Sequence, residues 1–97
     1  MATFIMLMNF TQDGVAGIKD APNRRKQAED LAEQCGVNIT ANYLTMGSYD
    51  RVGIVEAPDG EAVARFALAL GGLGFLSTTT LRAFDSDEAE AIVSSLP

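Results

Sequence analysis

Residues Thr3 to Phe10 are apolar on both of their alternating sets: Phe4, Met6, Met8 and Phe10 on one, Ile5 and Leu7 on the other. A strand with that pattern is buried on both faces, so the sheet it joins must be covered on both sides. The opening run MATFIMLMNF lacks a basic leading segment and a small-residue cleavage site, and it reads as this strand instead of a secretory signal.

The rest of the chain alternates strand and helix signals. Thr11 to Asp20, broken by Gly14 and Gly17, reads as a loop with one irregular turn. Asp20 and Pro22 open a helix whose Ala28, Leu31, Ala32 and Cys35 form one apolar stripe, and Gly36 ends it as a left-handed cap. A second strand is expected from Val37 to about Met46, then the turn Gly47-Ser48-Tyr49, then a third strand from Asp50 to Ala57. Strands joined by so short a turn pair antiparallel. Pro58 and Asp59 stop the third strand and cap a helix with the stripe Ala62, Val63, Phe66, Ala67 and Leu70, which Gly71, Gly72 and Gly74 close. Phe75 to Phe84, with Thr78, Thr79 and Thr80, is the fourth strand. Asp85 and Glu88 have the spacing of a capping box, and Ala89, Ile92, Val93 and Leu96 make a last short amphipathic helix.

The order βαββαβ followed by α predicts an α+β, ferredoxin-like domain spanning residues 1–97, with a four-stranded antiparallel sheet. Right-handed crossovers put both main helices on one face. The other face then displays apolar side chains of strands one and two, including Val37, Ile39, Ala41 and Tyr43 set against Leu44 and Met46. Patches beyond a few hundred square ångströms are rare on monomers. A second copy, the last helix or a ligand must cover it. Because that helix is short, a sheet-to-sheet homodimer is expected, with further association through sheet edges left open.

Composition removes several function classes. A chain of 97 residues builds one core, and 47% hydrophobic residues argue against disorder. No apolar run reaches the roughly 18 residues of a membrane span. The net charge of −6 repels phosphate backbones, so nucleic acid is not an expected partner. A lone Cys35 forms no internal disulfide, which fits a reducing, cytoplasmic setting. With no histidine there is no imidazole for haem, zinc or a triad, and neither a metal nor a cofactor is expected.

Met46-Gly47-Ser48-Tyr49-Asp50-Arg51-Val52, continuing through Glu56-Ala57-Pro58-Asp59, and then Thr80-Leu81-Arg82-Ala83-Phe84, resembles the GYD domain family. The similarity extends over the full length, from Phe10-Thr11 and Lys19-Asp20-Ala21-Pro22 to the final helix. It implies the dimeric α+β barrel superfamily, in which two such sheets pack face to face. That superfamily includes cofactor-independent oxygenases, isomerases, haem-binding enzymes and plain ligand binders, so it implies no single reaction. Ser48 stands at the variable position of the motif, and Gly74-Phe75-Leu76-Ser77 before strand four departs from the more polar residues of many relatives.

The candidate polar positions each have two readings. Tyr49 donates to a ligand while Asp50 fixes the turn, or Asp50 bonds nearby backbone and Tyr49 packs its ring. Glu56 and Arg82 face one cavity and hold the ends of a polar ligand, or they form a structural ion pair or stand as two solvated strand ends. Thr78 and Thr80 share a face with Arg82, and Tyr43 with Thr80 would line the pocket. Asn9 and Asn42 are amides in largely apolar strands and need partners. Arg24-Arg25-Lys26 attracts an anion, or is a solvated face balanced by Glu29, Asp30 and Glu33. The leading expectation is a homodimer binding a small, partly apolar molecule between sheet and helices. The alternatives are a cofactor-independent oxygenase or isomerase with Glu56 or Asp50 as proton acceptor, and a structural or interaction module.

Overall fold

In the computed structural model, which describes residues 1–97, the chain forms β1 (Ala2–Phe10), α1 (Gln12–Ala16), a single 3-10 turn (Ile18–Asp20), α2 (Ala21–Cys35), β2 (Asn38–Leu44), β3 (Arg51–Ala57), α3 (Gly60–Gly72), β4 (Leu76–Ala83) and α4 (Ser86–Ser94). The four strands pair antiparallel in the order β2-β3-β1-β4. The α+β architecture is therefore the expected one, with β1 and β3 central. Gly36 closes α2 at φ 74°, and Asp59 caps α3 by accepting from the Ala62 amide. No helix is long and apolar enough to cross a membrane.

Helices α2 and α3 cover one face. Phe4, Met6 and Met8 of β1 and Val55 and Ala57 of β3 are buried there against Ala32 of α2 and Ala62, Val63, Phe66 and Leu70 of α3. Each of the larger side chains contributes roughly 1.5–3 kcal/mol by leaving water. The exposed flank of α2 carries pairs at four-residue spacing, and Asp30 beside Lys26 holds that ammonium above its usual value.

Four local features differ from expectation. Thr11 to Asp20 is more ordered than a loop: the Thr11 hydroxyl accepts from the Gly14 amide and so starts α1, while it donates to the Gly74 carbonyl. Strands β2 and β3 stop short of the turn, and Thr45 to Asp50 form the connection. Asp50 ties the hairpin to β1, its carbonyl accepting from the Thr45 amide while its own amide donates to the Met8 carbonyl. A bulge at Thr40 lets Ile39 face Val55 while Ala41 faces Ile54. One extra residue reverses the alternation. Ile39 therefore lies on the helix side with the core, whereas Ala41 and Tyr43 lie on the opposite side.

On the helix-free face, Ile5 is flanked by Ile54 and Leu81, and Leu7 by Val52 and Thr79. Tyr43 continues the row beside Val52. Leu81 and Tyr43 are 46% and 57% exposed, so nothing in the chain covers this face. Helix α4 does not fold across it. Asp85 and Glu88 complete its capping box, but α4 buries no residue and leaves Ile92, Val93 and Leu96 open.

Candidate functional site

Between the first half of α2, the end of α3 and the sheet lies a cavity of about 500 Å³. Its floor is Met6 and Met8 of β1, Gly53 and Val55 of β3, and Ile39 of β2; Ala28, Phe66 and Leu70 form its helical wall. Three small residues among larger neighbours leave room there: Ala21 and Ala28 on α2, and Gly53, which has no side chain at all. A Cβ built on Gly53 meets only the flexible Met8 Cε at 3.4 Å and the Ala41 carbonyl at 3.9 Å. A glycine inside a central strand weakens it, and marks a place where something else approaches the backbone.

The polar lining is mainly basic. Arg24, Arg25 and Arg51 reach the cavity, accompanied by Glu29 and Asn42. Arg24 stacks 3.7 Å from the Phe75 ring centroid and donates to the Gly14 carbonyl at 3.0 Å, thereby tying the α1 region to α2. Gly17 makes this packing feasible, since a Cβ there would collide with the guanidinium. The Arg24 Nε is buried without a hydrogen-bond partner; the Asp20 carboxylate stands 4.0 Å away, beyond hydrogen-bond reach. Arg51 donates to the Asn42 side-chain oxygen at 3.1 Å and has no carboxylate within ion-pair distance.

Tyr43, Tyr49, Asp50, Glu56, Thr80 and Arg82 all lie outside this lining. Glu56 and Arg82 do not face one cavity. Glu56 opposes Thr3 on the helix-free face, while Arg82 opposes the buried Phe4 on the helix side. Arg82 instead pairs with Glu88 at 3.2 Å, bonds the carbonyls of Thr3 and Ala83, and packs 4.3 Å from the Phe84 centroid. It anchors the start of α4 to the sheet. Thr80 does share Arg82's side of β4, opposite Met6, but on an exposed edge. Tyr43 is on the helix-free face. The Asp50 carboxylate accepts from the Phe10 amide at 2.9 Å, and the Thr45 hydroxyl donates to the Tyr49 carbonyl at 2.6 Å. No group of three or more histidine, cysteine, aspartate or glutamate residues is placed to hold a metal ion.

The model of the GYD domain matches residues 4–93, nearly the whole chain. The chain belongs to the GYD domain family. It is also 40% identical, over 84 residues, to a Thermus thermophilus protein named glutamine synthetase and cystathionine beta-lyase binding protein; the match covers 86% of this chain and 88% of that relative.

In this GYD protein the signature Gly47-Ser48-Tyr49-Asp50 is a structural clasp. Gly47 takes φ 102°, which a side chain would oppose, and this turns the chain so that Asp50 reaches Phe10. The residues that line the cavity were partly readable in sequence. Asn42 stands out as an amide within a strand, and Arg24 and Arg25 as a basic cluster. Gly53 carried the clearest unused signal, a glycine amid Val52, Ile54 and Val55. Arg51 carried none, because its direction depends on strand register.

Proposed function

We propose that this GYD protein acts by binding other proteins, metabolic enzymes among them, and does so as a homodimer joined through the helix-free sheet face. The observation that carries the homodimer is the uncovered row of Ile5, Leu7, Val52, Ile54 and Leu81, continued by Tyr43. The helices leave this apolar surface in water, and a second copy removes both surfaces at once. The relative named for binding two enzymes supports a docking role, since the likeness runs through nearly all of both chains. The test is to mix the purified chain with glutamine synthetase and with cystathionine beta-lyase from its own host and follow complex mass by light scattering. A stoichiometric complex with either enzyme supports the proposal. Free elution of both enzymes across the concentration range refutes their choice as partners.

The cavity favours a second reading, in which each protomer also holds a small, partly apolar molecule between sheet and helices. Its volume of about 500 Å³ is within the roughly 300–1,000 Å³ of small-molecule sites. An oxygenase or isomerase with Asp50 or Glu56 as proton acceptor has less support. Asp50 is engaged with the Phe10 amide, and Glu56 lies on the other side of the sheet.

A further inference from the structure

The charge around the cavity runs against the rest of the molecule. The chain holds 13 acidic residues and seven lysines and arginines. Three of those seven bases line this one space, and Glu29 is its only acidic member. Glu29 is already paired with Arg25 at 3.8 Å. Arg24 faces the Asp20 carboxylate at 4.0 Å, which leaves Arg51 as the lining cation with no carboxylate within ion-pair distance, beside walls made mostly of Met, Phe, Ile, Leu and Ala side chains. Resting on the second reading above, we propose that the cavity takes an amphipathic monoanion, a carboxylate on an apolar chain or ring, with the carboxylate held by Arg51 and the apolar body lying over Gly53.

Each part of that chemistry has its own observation. Arg51 uses its Nη2 on the neutral Asn42 oxygen, which orients the planar guanidinium without neutralising it. A guanidinium has five donors in a fork that matches a carboxylate, so most of its capacity remains. The Asn42 oxygen is already accepting, which leaves its amide nitrogen as a further donor to the same oxygens. Gly53 provides the floor, and its missing side chain lets an apolar body lie against the strand between Met8 and Asn42. A polyphosphate head fits badly, because an apolar wall cannot replace the hydration of several charges. A neutral or cationic molecule leaves the excess positive charge unanswered. Arg24, held by Phe75 and Gly14, adds to the field without needing to touch the ligand.

The test is a pair of nuclear magnetic resonance titrations of the full chain, with decanoate and with decanol, which share an apolar tail and differ in charge. Decanoate is expected to bind about tenfold or more tightly than decanol, the scale of a charge-assisted hydrogen bond, and to shift the amides of Gly53, Asn42 and Arg51. Arg51→Gln should remove that advantage while leaving decanol affinity unchanged, and Arg51→Lys should retain part of it. Gly53→Leu should abolish binding of both in a chain that keeps its native spectrum. Equal affinity for the two probes in the wild-type chain overturns the anion proposal and leaves the cavity reading standing. No shift at any cavity amide with either probe overturns both. A decanoate preference that survives in folded Arg51→Gln overturns the assignment of the head group to Arg51.

Discussion

The aspartate of the GYD signature should behave as a structural residue, and Asp50→Ala tests this. Its Oδ2 accepts from the Phe10 amide at 2.9 Å, joining the hairpin end to the end of β1 across 40 residues of sequence. The Asp50 backbone bonds to Met8 and Thr45 survive the substitution, so the loss is confined to one charge-assisted hydrogen bond and one half-buried N–H left without its acceptor. Hydrogen bonds to charged groups contribute about 1.5–3 kcal/mol, and partial access of water at this site argues for about 2. For a domain of this size that corresponds to a melting-temperature drop of roughly 8–16 °C. Asp50→Asn keeps an acceptor oxygen and loses the charge, so about half the effect is expected. The assay is urea unfolding followed by circular dichroism, in which the midpoint should fall with an unchanged slope. A folded Asp50→Ala within about 0.5 kcal/mol of wild type, but defective in binding a partner or ligand, would refute the structural role.

Further outcomes follow from the same contacts. Phe66→Ala, at a side chain only 2% exposed, should cost about 3–5 kcal/mol and be read as a large loss in urea midpoint. Asp85→Ala removes the cap of a helix that buries nothing, so hydrogen exchange should speed up through α4 while the melting temperature of the sheet barely moves. Arg82→Ala breaks a half-exposed pair with Glu88 and should cost no more than about 1 kcal/mol, with decanoate affinity unchanged because Arg82 is outside the cavity.

The sequence revealed those features whose cause is local. Hydrophobic period and glycine or aspartate punctuation located every strand and main helix, and the caps at Gly36, Asp59 and Asp85 are where spacing put them. What it hid depends on register. Thr40 is one extra residue with no compositional mark, yet it moves Ala41 and Tyr43 to the opposite face from Ile39. The sequence leaves open whether Glu56 and Arg82 share a cavity, because a one-residue offset between two strands is enough to separate side chains across a sheet. Their partners Thr3 and Phe4 are adjacent in β1, so the two residues point apart. The cavity was hidden for another reason. It arises where Ala21 and Ala28 of one helix coincide with Gly53 of a strand distant in sequence, and a void has no residue of its own to announce it.

The most direct test of the homodimer through the helix-free face is sedimentation velocity on the purified chain and on Ile54→Lys, which puts a charge into the middle of that face. The wild-type chain should sediment at twice the 10.3 kDa protomer mass, and the variant should sediment as a protomer with native circular dichroism. A wild-type chain that remains a monomer at all concentrations, or an Ile54→Lys variant that dimerises as well as wild type, would contradict the assignment of this face to self-association.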